Sequence, residues 1–142
     1  NTALTYTNQL RKLLYKAPAY LYTEIVLVII IYLTLFPHPL PENDIKWWEH
    51  TDKVVHAIMF GVFNITCIYD YARKFKVATV DKETILKTST ISIAVGGSIE
   101  IVQTCMELGR SGDWADFDAD IIGVILFALI SNRILSFLVP RR

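Results

Sequence analysis

Four stretches of this chain are apolar for long enough to cross a bilayer, and each is bounded by charge, proline or glycine. A hydrocarbon core of about 30 Å takes roughly 20 mostly apolar residues as a helix. The first stretch covers about residues 20–36 and is closed by Pro37, Pro39 and Pro41. The second covers about residues 52–71, the third about 85–106 and the fourth about 119–139. Lipid offers no partner to an unpaired backbone group, so each stretch must be helical. Uninterrupted runs such as IVLVIII and IIGVILFALI argue against a soluble bundle with an unusually apolar core. The pattern therefore predicts an all-α fold, a four-transmembrane-helix bundle forming one domain over residues 1–142.

Charge then orients the bundle. Arg11, Lys12 and Lys16 precede the first span; Arg73, Lys74, Lys76, Lys82 and Lys87 crowd the connection between the second and third; Arg133, Arg141 and Arg142 close the chain. In a four-span model these residues, most of the 14 lysines and arginines, fall on one side. The positive-inside rule makes that side cytoplasmic, so both termini are predicted to be cytoplasmic. The opposite loops, about residues 37–51 and 107–118, are acidic and hold Trp47, Trp48 and Trp114, where an indole favours the headgroup region. The net charge is zero, so no overall basic surface argues for nucleic acid. Cys67 and Cys105 lie in apolar runs and read as buried small hydrophobes rather than a disulfide or zinc pair.

The polar residues inside and beside the spans carry the candidate chemistry. Asp52 and His56 are four apart near the start of span two and share a helix face. Thr51 or Asp52 can cap that helix, and Lys53 lies between Asp52 and His56. Glu100 and Gln103 share a face of span three. An ionisable residue inside a span costs about 2.5–3.5 kcal/mol and marks a functional position by default. Its structural alternative is pairing with Lys53 or Arg110. Asp116, Asp120 and Gly123 form one stripe at the start of span four, while Asp118 points elsewhere and can cap. Alternating spans bring these segments to one depth. Asp52, Lys53, His56, Glu100, Gln103, Arg110, Asp116 and Asp120 are thus predicted to line one outward-facing cavity.

These residues carry a family resemblance. Asp52-Lys53-x-x-His56-x-x-x-Phe60, Glu100-x-x-Gln103, Arg110 and Asp116-x-x-x-Asp120-x-x-Gly123 resemble the VanZ-like membrane proteins, the family named for an accessory factor in teicoplanin resistance. The resemblance spans about residues 20–139, and departs at Asp120, where the family usually has Asn. It implies a multi-pass protein of the bacterial cytoplasmic (inner) membrane, linked to the cell envelope and in some members to antibiotic resistance.

Three functions compete on this reading. The outward cavity can recognise membrane lipids, a lipid-linked envelope precursor or a lipoglycopeptide such as teicoplanin. Alternatively, the protein is a membrane-embedded hydrolase or transferase, with His56, Glu100, Asp116 and Asp120 as the catalytic candidates. The two aspartates then hold a divalent cation, the one candidate cofactor, and Lys53 or Arg110 clamps a phosphate. Third, the charges form a closed ion-pair network that fixes helix register, and function lies in a protein partner. Transport ranks below these, because Asn64, Thr66 and Thr90 are too sparse for a polar path through the bundle.

Overall fold

A computed structural model describes residues 9–10, 12–36, 51–106 and 112–139. Among the described residues the four long helices are α1 (Leu21–Leu35), α2 (Thr51–Phe75), α3 (Lys82–Met106) and α4 (Trp114–Leu138). Residues 12–15 are also helical. Helices α2, α3 and α4 have 25 residues each, are about 37 Å long, and are apolar enough to cross a membrane. Helix α1 is apolar but shorter, with 15 residues.

The distribution of side chains is inverted relative to a soluble domain. Among the described residues 24 large apolar side chains are exposed and 12 apolar residues are buried, while 11 polar or charged residues are buried beside them. Exposed residues such as Val28, Ile58, Ile91, Ile122, Leu129 and Phe137 lie along all four helices. A solvated surface of that kind would be an unbroken association patch. Against lipid it is the ordinary outer face of a multi-pass membrane protein. Cys105 belongs to this face: it is exposed, and Cys67 is half-buried, so the expectation that both are buried fails for Cys105. Gln103 is turned inward on α3, which directs Cys105, two residues on, to the outer side.

Helices α2 and α4 pack most extensively, and they run parallel. Lys53 meets Asp116, His56 meets Asp120, and Asn64 meets the carbonyl of Val124. Each helix carries an Ala-x-x-x-Gly step, Ala57–Gly61 and Ala119–Gly123, a spacing of small residues that lets helix backbones close up in a membrane. The contact is closest at Gly123, where an added Cβ would overlap the Ala57 carbonyl, and Phe127 fills the space over Gly61.

The interior is layered. At one end lie the polar residues grouped around His56. Below them Ile30, Phe60, Phe63, Ile99 and Val124 form an apolar layer. Next, Asn64 donates to Ser89 Oγ (3.1 Å) and the Val124 carbonyl (3.3 Å), and accepts from Ser92 Oγ (3.2 Å). That side chain ties α2, α3 and α4 together with its amide satisfied on both sides. At the far end Asp70 accepts from Thr23 N and Thr23 Oγ1, both at 2.9 Å, and from Arg73 Nη1 at 2.9 Å. Arg73 Nη2 reaches the carbonyls of Ala17 and Pro18, and its guanidinium lies 4.7 Å from the centre of the Tyr22 ring. Asn132 on α4 bonds both backbone groups of Val80 at 2.9 Å, fastening the α2–α3 connection.

Helix α4 starts earlier than the apolar run suggests, because Asp113 caps it: the carboxylate accepts from Ala115 N at 2.9 Å. Residues 114–118 are therefore helical, and Asp113, not Asp118, is the cap.

The α2–α4 contact makes a sharp prediction. Gly123→Ala should destabilise the protein by about 1–3 kcal/mol, because its methyl meets backbone that no rotamer change can clear. Gly97→Ala, whose methyl would lie 3.3 Å from the Phe117 ring, should be close to neutral. Thermal unfolding of both variants in one detergent checks this; equal losses would mean that the α2–α4 contact is not rate-setting for packing.

Candidate functional site

The start of α2, the end of α3 and the start of α4 meet at one end of the bundle, and five of the residues singled out in the sequence come together there. Lys53 Nζ lies 2.8 Å from Asp116 Oδ1 and 3.1 Å from Asp113 Oδ2. His56 Nδ1 is 3.0 Å from Asp120 Oδ1, and His56 Nε2 is 3.8 Å from Asp116 Oδ2. Glu100 accepts the Asp113 backbone N–H at Oε2, 2.8 Å away. One ligand atom from each of His56, Glu100 and Asp116 can be chosen so that all three lie within 4.8 Å of one another.

Burial deepens from rim to floor. The side chains of Asp52 and Asp113 are half exposed and Lys53 is 32% exposed, whereas Asp116 is 18%, His56 11% and Asp120 1% exposed. At the floor two carboxylate oxygens, Glu100 Oε1 and Asp120 Oδ2, are buried without a hydrogen-bond partner among the described residues. Such a group forfeits its hydration with nothing in return, and calls for an explanation. Gly96 makes room for one of them: a Cβ at that position would sit 2.9 Å from Asp120 Oδ2.

The network fixes the imidazole. When Asp120 is ionised it can only accept, so His56 then donates from Nδ1, and Nε2 is left facing Asp116. A ring oriented by a carboxylate behind it is the usual arrangement of a metal-binding or proton-accepting histidine.

The remaining predicted residues play other parts. Gln103 is buried and points away from the group, donating to the Thr34 carbonyl at 2.8 Å and joining α3 to α1. Asp52 is on the rim and touches the group only through Lys53, 3.4 Å away. Glu100 does not pair with Lys53, which is a turn nearer the end of the bundle and is taken up by Asp52, Asp113 and Asp116. Arg110, Glu107, Trp47 and Trp48 lie outside the described residues. Sequence reasoning passed over Asp113, whose carboxylate caps α4 and holds Lys53 while its amide holds Glu100. Its signal was the acid three residues ahead of Asp116, at the N-cap spacing.

Asp113 lies ahead of α4, and its carboxyl is held below the ordinary carboxylate range, first by the Ala115 N–H and then by the Lys53 ammonium. The folded protein thus binds this proton less tightly than the unfolded chain. The stabilisation it supplies is complete above the ordinary pKa of about 4, and is lost as pH falls through the lower folded value. Asp113→Ala should therefore lower Tm at neutral pH, with the gap to wild type narrowing below about pH 4. A gap that holds constant through acidification would show that the carboxylate contributes nothing to α4.

Comparison with protein-family models, with curated proteins and with solved structures finds no match for this chain, so the site is interpreted from its own geometry.

Proposed function

We propose that this chain is a VanZ-like, four-span protein of the bacterial inner membrane, and that its acidic site recognises the polar head of an envelope lipid, lipid-linked glycan or lipoglycopeptide at the outer leaflet. The observation that carries this is the pair of partnerless oxygens, Glu100 Oε1 and Asp120 Oδ2, at the floor of a site that grows more exposed toward one end of the bundle. Buried acceptors left open fit a ligand rich in donors, such as the hydroxyls or amines of a sugar or peptide head. Lys53 at the rim, held by Asp113 and Asp116, supplies a cation for an anionic group on the same ligand.

Two features support the orientation and the span count. Among the described residues Lys12, Lys16, Arg73, Lys74, Lys76, Lys82 and Arg133 collect at the end opposite His56, as a cytoplasmic face does. Helix α1 is short, but it is joined to the bundle at both ends, through Thr23 to Asp70 and through the Thr34 carbonyl to Gln103. It therefore runs the depth of the polar interior. The apolar layer of Ile30, Phe60, Phe63, Ile99 and Val124 separates the site from the Asn64 layer, which favours binding over transport.

One geometry favours a second reading, a hydrolase or transferase on the same class of lipid-linked substrate. With Nδ1 engaged by Asp120, His56 Nε2 can join Glu100 and Asp116 around a divalent cation, a nitrogen and two oxygens that leave positions open for water and substrate. The metal would polarise a phosphoryl or carbonyl oxygen of the substrate.

Native mass spectrometry of the protein extracted from membranes in mild detergent separates the two. Recognition predicts a co-purifying lipid-linked mass on the wild type, reduced about tenfold or more in Glu100→Gln and in His56→Ala. One divalent ion per chain, lost in both variants, moves the hydrolytic reading ahead. A bare protein in every sample contradicts both.

A further inference from the structure

A second site lies at the other end of the bundle, where residues 12–16, the α2–α3 connection and the end of α4 enclose a cavity of about 550 Å³. That volume is in the range of sites that enclose small molecules, roughly 300–1,000 Å³. Lys12, Lys16 and Lys76 line it, and among the described residues no acidic one does. Three lysines elsewhere are engaged: Lys53 and Lys87 are in ion pairs, and Lys74 lies over the Tyr20 ring. Among the described residues the three cavity lysines have no carboxylate partner. Three cations bordering one concavity, with no counter-charge among the described residues, favour an anion there.

Lys76 adds an independent indication. It follows the last residue of α2 with φ 56, in the left-handed region, and the helix closes there in a Schellman arrangement, Val77 N to Ala72 O at 3.0 Å and Lys76 N to Arg73 O at 3.3 Å. Glycine takes that position without strain, and lysine does not. Strain kept at one residue points to something the side chain does. Here it places Lys76 in the cavity lining.

The geometry points to a site for the phosphate head of an anionic phospholipid. Beside the lysines the lining is largely apolar, with Val77, Ala78, Leu135 and Val139. A free phosphate gains nothing from such a lining, whereas the glycerol and first methylenes of a lipid do. The cavity also sits at the ends of α2 and α4, the level at which a membrane-crossing helix leaves the hydrocarbon and phospholipid phosphates begin. Basic recesses between helices at that level bind anionic headgroups. The proposal is independent of the His56 site, which is at the opposite end.

The full-length protein, delipidated and presented with mixed micelles of phosphatidylglycerol or phosphatidylcholine, tests it by counting retained lipid in native mass spectra. Wild type should retain phosphatidylglycerol in preference to phosphatidylcholine. Each lysine removed should lower that retention roughly fivefold, and the combined Lys12→Gln, Lys16→Gln, Lys76→Gly variant should treat both lipids alike. Lys76→Gly alone should leave the Tm of the lipid-free protein unchanged or higher while retention falls, which separates lost binding from lost folding. Equal retention of the two lipids by wild type would overturn the proposal, as would a combined variant that still prefers phosphatidylglycerol. Displacement of the lipid by an equal concentration of glycerol phosphate would assign the cavity to a soluble phosphate instead.

Discussion

The backbone contact between Gly123 and Ala57 sets the depth of every polar side chain that α2 and α4 share. With these two helices parallel and in close contact, His56 falls against Asp120, Lys53 against Asp116, and Asn64 against the Val124 carbonyl. Their parallel direction also makes the ends of the bundle electrostatically unlike. Two helix N-termini lie together at one end, where their partial positive charge favours carboxylates, and there stand Asp52, Asp113 and Asp116. Two C-termini lie together at the other, beside Arg73, Lys74 and Lys76. One packing constraint thus produces both an acidic site and a basic one.

Within that frame the polar layers differ in how completely they are satisfied. The Asn64 amide is closed by two serines and a carbonyl, and Asp70 accepts from Thr23 and Arg73. Those layers fix helix position. The layer around His56 is left open at Glu100 and Asp120, both buried. The Asp70 layer also leaves one buried atom open, Arg73 Nε, among the described residues. Such openings are costly in a low-dielectric interior, and around His56 both of them are carboxylate oxygens.

Much of this was legible in the sequence. Span length and charge asymmetry located the three long helices, the shorter one, and the two unlike ends. Helical period and alternating direction then brought Lys53, His56, Glu100, Asp116 and Asp120 to one depth. What escaped was whatever depended on side-chain direction or on bonds between distant residues. Arg73 counted only as one of the basic residues of a connection, and Asp70 went unremarked, yet together they secure residues 17–23 through bonds more than forty residues apart in sequence. Asn132, also unremarked, is the clamp on Val80. Gln103 shares a face with Glu100 by spacing, but one turn is enough to direct it to α1. The start of α4 was misplaced because an apolar run marks the lipid-crossing part of a helix, not the capped turn that precedes it.

The central claim is that Glu100 is kept for a ligand and not for stability. The most direct measurement is the thermal stability of Glu100→Gln beside wild type, both stripped of bound molecules and in the same detergent. Glutamine keeps an oxygen for the Asp113 amide and removes a buried carboxylate, so the Tm should stay level or rise. A fall of several degrees would mean that the carboxylate is part of the structural framework, and would contradict the account.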